Sequence, residues 1–350
     1  MSIIVDEAPG YIQVFSDGTV KRFSPEIATA SAESTDGFKS TDVVIDPSKP
    51  ITGRIYVPDL WPETEQVVEL LPVLLYFHGG GFCVGSTSWL GYHLFLGGLS
   101  VQSKSVVVSV DYRLAPENKL PIAYEDCYAA LEWVQKNQRA EPCLESADLS
   151  RVFLAGDSAG GNIVNQVVKK CLQEENCAVK IKGIMPIHPY FGSERRTAVE
   201  VAAEGSSGSS VAMNDMFWRL SLPEGCNRDF YGCNLENDRE LSAGEWLRFP
   251  AALVFVAGKD FLKERGVMRD VEARKSSIHF HGDADINYFK NDGCYYRARR
   301  NWRLPAAEEW RRRHQTVAAA AAFDSQEGPS GEECNADSVL VFPSSSYGRQ

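Results

Sequence analysis

The stretch 151-RVFLAGDSAGGNIVNQVVKK-170 decides the fold. It opens on a short apolar run, which suits a strand buried on both faces of a sheet. It closes on a helical stretch over residues 159–173. Between them lies Gly156-Asp157-Ser158-Ala159-Gly160, a G-x-S-x-G turn. Small neighbours let backbone segments approach closely around Ser158. The helix N-terminus beneath it supplies positive potential and free N–H groups. A serine hydroxyl is a poor nucleophile at neutral pH unless a base takes its proton. The rest of the chain therefore has to supply that base.

Working outward, continuous apolar runs recur at 71-LPVLLYF-77, 105-SVVVSVDY-112, 181-IKGIMPI-187 and 251-AALVFVAG-258. With the helical stretch 122-IAYEDCYAALEWVQKN-137, they alternate strand and helix. That alternation predicts an α/β fold with a mostly parallel central sheet flanked by helices. Residues 11-YIQVFSDGTVKRF-23 read as a hairpin about Asp17-Gly18. A second hairpin pairs 42-DVVI-45 with 53-GRIYV-57. Both are expected to supply antiparallel N-terminal edge strands. Residues 192–210 are polar and rich in Gly and Ser, and read as a mobile loop near the site.

His78-Gly79-Gly80-Gly81-Phe82 directly follows the strand that ends at Phe77. Three glycines after a strand let N–H groups face a cleft without side chains in the way. Such HGGG loops supply half of a hydrolase oxyanion hole. The N–H groups of Gly79, Gly80 and Ala159 are assigned to it. The loop lacks the Lys of a P-loop and the spacing of a dinucleotide site.

These motifs, with 111-DYRLAPE-117, 214-NDMFWRLSLPEG-225 and 256-VAGKDFLKERG-266, resemble the plant-type carboxylesterases. That family is the hormone-sensitive-lipase-like branch of the α/β-hydrolases. The similarity runs over about residues 5–268. The resemblance implies a serine carboxylesterase of the EC 3.1.1 type, acting on small-molecule esters without a cofactor or metal. It implies Asp260 as the triad acid, just past the strand 251–258, in the chain order Ser, acid, His. Asp157 adjoins the nucleophile and reads as structural. The alternatives are a gibberellin-type receptor, which keeps the serine and lacks the histidine, and a hydroxyisoflavanone-type dehydratase. The receptors carry a longer helical N-terminal extension than the ten residues found here before the first hairpin. The dehydratases tend to alter the third glycine, which is intact here as Gly81.

The family histidine falls about thirty residues after the acid, near position 290. The stretch 286-INYFKNDGCYY-296 holds none. The six histidines are at 78, 93, 188, 279, 281 and 314. His78, His93 and His188 precede the acid and read as packed histidines. His281 has the right order but a short spacing, and is the one candidate base; if it does not serve, the family histidine is absent and the chain is an esterase architecture with impaired turnover. His279, His281, Asp283 and Asp285 are a weak metal pattern, and no metal is assigned.

Residues 1–290 are read as one domain, and 291–350 as an atypical, disordered tail. Arginine clusters, the alanine run 318–322 and a polar low-complexity end break the strand–helix alternation. A change of reading frame or an alternative splice would produce such an end. Loss of the family's last strand would leave a sheet edge uncovered. The net charge of −11 argues against nucleic-acid partners. There is no apolar run long enough for a membrane span and no signal peptide. Nine scattered cysteines without a C-x-x-C pair read as reduced thiols of a cytoplasmic or nuclear protein. Cys171 and Cys177, a C-x5-C pair, carry no meaning on spacing alone. Sequence does not give the natural ester or the oligomeric state.

Overall fold

The structure, a computed structural model, describes residues 2–59, 70–174, 177, 179–204, 210–257, 260–267, 288–291 and 294–298. The chain folds as β1 (Ile4–Ala8), β2 (Ile12–Phe15), β3 (Val20–Arg22), β4 (Phe38–Asp46), β5 (Ile51–Pro58) and β6 (Leu71–Phe77). There follow α1 (Leu90–Ser103), β7 (Val106–Asp111), α2 (Ile122–Asn137), β8 (Ala147–Asp157), α3 (Ala159–Gln173) and β9 (Ile181–Ile187). The remainder is α4 (Ala198–Ala203), α5 (Ser210–Ser221), α6 (Ala243–Arg248), β10 (Ala251–Ala257), β11 (Tyr288–Asn291) and β12 (Cys294–Ala298).

A nine-stranded sheet runs in the order β11-β12-β10-β9-β8-β6-β7-β5-β4. The strands from β7 through β10 pair in parallel, β5 pairs antiparallel with β7, and β4 pairs antiparallel with β5. Alternation along β6 builds two cores. Val73, Leu75 and Phe77 face α2 and α3, among Leu131, Val134, Val164 and Val167. Leu74 and Tyr76 face the other side, among Tyr92 and Leu96 of α1. Period-two side-chain direction and helices on both faces explain why β6, β7 and β8 read as unbroken apolar runs.

Three expectations are corrected. The first hairpin does not join the main sheet. It forms a separate three-stranded sheet with β1, and Ala8, Ile12 and Val14 cover the α1 face. The segment 192–210 is not wholly loop. Thr197 caps α4 through a capping box with Glu200; residues 205–209 lie outside the described residues. The stretch after residue 290 is not all tail. β12 pairs antiparallel with β10, and β11 with β12, so a hairpin covers the edge expected to stand bare. No helix among the described residues is long and apolar enough to cross a membrane.

Candidate functional site

Ser158 sits between β8 and α3 with φ 50° and ψ −114°. A non-glycine residue with positive φ is strained and is held by its surroundings. Here the neighbours hold both of its backbone groups. Its N–H donates to Ile187 O at 2.8 Å, and its carbonyl accepts from Tyr190 N at 2.9 Å. The flanking glycines are needed for space. A Cβ on Gly156 would lie 2.6 Å from Phe77 O, and one on Gly160 would collide with that same oxygen. The end of β6 thus crosses directly over the elbow.

The glycine loop after β6 is fixed from three directions. The His78 ring stacks on Tyr112 at 4.4 Å, and Tyr112 Oη donates to His78 O at 2.8 Å. His78 Nδ1 lies 2.8 Å from Gly79 O, so Nδ1 carries the proton. Arg22 of β3 reaches over the loop, donating to Cys83 O and Ala115 O, each at 2.7 Å, and pairing with Glu117. Both partners of Arg22 on the 111–117 stretch belong to the motif quoted above. Phe82 O accepts from Ala115 N at 2.9 Å, joining the two loops. Gly80 and Gly81 have φ of +105° and +57°, which favours glycine.

Gly79 departs from its expected role. Its N–H donates to Asp157 Oδ1 at 3.0 Å and to Tyr92 Oη at 2.8 Å. An amide occupied in this way does not serve a developing oxyanion. The N–H groups of Gly80, Gly81 and Ala159 have no acceptor among the described residues. Gly81, in the same triplet, offers an N–H that the sequence did not single out.

Asp157 also accepts from Tyr76 Oη at 2.8 Å and Tyr92 Oη at 2.9 Å. Burial pushes its carboxyl up, and the two tyrosine hydrogen bonds pull against that. It ties β6, α1 and the glycine loop to the elbow, the structural role expected of it.

Asp260 follows β10. Its N–H donates to Ala257 O at 3.2 Å, and its Oδ1 accepts from Leu262 N at 2.8 Å. That bond opens the short helical turn 263–267. His188, after β9, has φ +43°. Its Nδ1 accepts from Ala257 N at 3.1 Å, which leaves the proton on Nε2. Burial lowers its pKa, while Asp260 and Asp157 act in the opposite direction. With its accepting nitrogen occupied, this histidine is a link between β9 and β10, not a free base. His93 packs against Phe38 and Tyr56. His279, His281, Asp283, Asp285 and His314 lie outside the described residues.

α5 closes over the site. Trp218 is fully buried and stacks on Tyr190 at 4.3 Å and 2°. Phe217 stands against Gly81, where a Cβ would lie 2.7 Å from its Cγ. A buried pair secures the next layer: Arg265 Nε and Nη2 donate to Glu200 Oε1 and Oε2 at 3.0 and 2.9 Å.

A family model described as the alpha/beta hydrolase fold matches residues 74–279. "Probable carboxylesterase 6" of Arabidopsis thaliana is 44% identical over 66% of this chain and 69% of its own length. "Gibberellin receptor GID1C" of Arabidopsis thaliana is 35% identical over 71% of this chain and 74% of its own. The crystal structure of EstE1, a thermophilic carboxylesterase from a metagenomic library, superposes with a TM-score of 0.55 at 32% identity. That match covers 68% of this chain and 75% of EstE1. The sheet order, the elbow and these matches agree: the chain belongs to the α/β-hydrolase family, in the hormone-sensitive-lipase-like branch that holds plant carboxylesterases and gibberellin receptors.

Proposed function

We propose that the chain hydrolyses carboxylic esters of small molecules in the cytosol, with Ser158 as nucleophile and Asp260 as triad acid. Gly80, Gly81 and Ala159 donate to the oxyanion. His281 is the base, following the acid in the order this fold uses. Ser158 Oγ attacks the ester carbonyl as the base takes its proton. The tetrahedral oxyanion is held by the three N–H groups, and the alcohol leaves with the returned proton. Water repeats the sequence on the acyl-enzyme. The observation that supports this most is the bond from Gly79 N–H to Asp157. It joins the glycine loop to the residue before Ser158, so donors and nucleophile share one corner of the fold. Each oxyanion donor contributes about 3 kcal/mol to the transition state.

The test is hydrolysis of p-nitrophenyl acetate by the intact chain, Ser158→Ala and His281→Ala, beside covalent labelling by a fluorophosphonate. Labelling and turnover lost in Ser158→Ala, with turnover also lost in His281→Ala, is the expected result. An intact chain no faster than Ser158→Ala overturns it. The gibberellin-receptor relatives favour a second reading, a non-catalytic binder of a small organic acid. Saturable binding of labelled gibberellin without turnover would select that reading.

A further inference from the structure

The three-stranded sheet β1–β3 stands outside the main sheet, yet one of its side chains reaches the glycine loop. Arg22 ends β3. Its backbone pairs with that of Ile12, which is fully buried, and Phe23 N–H donates to Tyr11 O at 2.8 Å. The guanidinium therefore extends from a rigid base. Nε donates to Cys83 O and Nη2 to Ala115 O, each at 2.7 Å. Nη1 and Nη2 donate to Glu117 Oε1 and Oε2 at 2.7 and 2.5 Å. On the loop, the N–H groups of Cys83 and Val84 both donate back to Gly80 O, at 3.0 and 3.1 Å. The carbonyl that Arg22 holds thus belongs to the same tight turn as the N–H groups of Gly80 and Gly81.

That turn is strained. Gly80, Gly81 and Phe82 follow one another at φ +105°, +57° and +65°. A bulky residue with positive φ persists only where its surroundings over-determine it. Asp157 holds the turn at Gly79, just before the strained run, and Arg22 holds it at Cys83, just after. The small sheet does not need Arg22 to stay in place. Ala8, Ile12 and Val14 pack into the core on the α1 face, and Asp6 of β1 pairs with Arg219 of α5. The loop is the part that depends on the contact.

We propose that Arg22 is a positioning residue for the oxyanion loop: through Cys83 O and Ala115 O it holds the Gly80 and Gly81 N–H groups in place for ester hydrolysis. The proposal rests on the esterase reading and adds the N-terminal sheet to its machinery. The planar fork of arginine spans two carbonyls and a carboxylate at once, whereas a lysine ammonium is a single point charge. Loosening the turn displaces both donors together. An oxyanion forms in acylation and again in deacylation, so the loss falls on kcat. KM, set by contacts made equally in the ground state, stays.

The test compares the intact chain with Arg22→Met, Arg22→Lys and Lys21→Ala, the last an exposed neighbour on β3. Turnover of p-nitrophenyl acetate is measured per folded chain, and amide hydrogen exchange reads the loop directly. Arg22→Met is expected to lower kcat about 10²-fold with KM within about twofold of wild type. Arg22→Lys should recover part of the loss, and Lys21→Ala should match wild type. In Arg22→Met, exchange should quicken at residues 83, 84 and 115, whose amides close the turn and join it to the next loop, and stay unchanged over β1–β3 and α1. Wild-type kcat in Arg22→Met overturns the proposal. So does faster exchange spread evenly over the N-terminal sheet, which marks a merely structural role. If Arg22→Met does not fold, Arg22→Lys decides, and full kcat with unchanged exchange there overturns the proposal. An intact chain no faster than Ser158→Ala defeats the esterase reading instead. Exchange then decides whether Arg22 holds the loop, and unchanged protection at residues 83, 84 and 115 overturns that as well.

Discussion

Asp157 Oδ1 accepts the Gly79 N–H at 3.0 Å while the same carboxylate accepts from Tyr76 and Tyr92. The residue before Ser158 thus fixes the glycine loop. Asp157→Ala removes the acceptor shared by the Tyr76 and Tyr92 hydroxyls and the Gly79 N–H. It is expected to cost about 2–4 kcal/mol in urea unfolding. Asp157→Asn keeps the acceptor oxygen and should cost well under half of that. Burial raises the Asp157 pKa in the folded chain. Its contribution to stability is therefore full below the unfolded value near 3.8 and lost as pH rises through the raised one. Asn does not titrate. The midpoint of wild type should therefore fall relative to Asp157→Asn between acid and neutral pH.

In the proposed mechanism the occupied Gly79 amide leaves oxyanion binding to its neighbours. A Cβ on Gly80 would collide with Val84 O, and backbone cannot step aside there. On Gly81 it would meet the Phe217 ring at 2.7 Å, and both positions have positive φ. Gly80→Ala and Gly81→Ala are each expected to lower esterase kcat about 10²–10³-fold. Adding Phe217→Ala to Gly81→Ala relieves the clash but not the dihedral strain, and should recover only part of the loss. Turnover of p-nitrophenyl acetate by the three variants decides this.

Sequence made the framework legible because buried parallel strands and their helices carry strong local signals. Residues 122–137, 159–173 and 181–187 coincide with α2, α3 and β9. The strand-to-helix turn at Ser158 was readable because strand, glycines and helix must occur together around it. What was not readable depended on contacts distant in sequence. Nothing local says that the Gly79 N–H turns to Asp157, 78 residues away. The first hairpin signalled its own pairing correctly, but its sheet partner is β1, joined to β2 through the Pro9-Gly10 turn.

The Arg265–Glu200 pair is nearly enclosed, with side-chain exposures of 6% and 3%. Glu200 also accepts from Thr197 N at 2.8 Å as part of the capping box of α4. Glu200→Gln leaves a buried guanidinium without its counter-charge. The expected cost is about 3–5 kcal/mol in chemical denaturation. Replacing both partners, Arg265→Met with Glu200→Leu, should recover most of it, since apolar side chains of similar volume carry no desolvation penalty. The double variant keeps the Thr197 bond to the residue-200 N–H but lacks the Glu200 half of the capping box, and should remain about 1 kcal/mol below wild type. A double variant as unstable as Glu200→Gln would mean that the pair contributes more than mutual neutralisation.

His188 separates linkage from catalysis by one substitution. Its Nδ1 accepts the Ala257 N–H at 3.1 Å, and its backbone is left-handed at φ +43°. Asn offers an acceptor oxygen at nearly the same distance along the side chain and tolerates that φ better than most residues. His188→Asn should keep the β9–β10 link, wild-type stability to within about 1 kcal/mol and most of the esterase turnover. His188→Ala loses the acceptor and is expected to be destabilised by about 1–3 kcal/mol. Burial lowers the His188 pKa, so its contribution to stability is present above the unfolded value near 6.5 and falls as pH drops below it. The gap between wild type and His188→Asn should therefore narrow or reverse in mild acid. If His188 were the base for Ser158, both variants would lose turnover by several orders of magnitude alike, because neither side chain can take the proton. Retained turnover in His188→Asn, beside its loss in His281→Ala, assigns the base to His281.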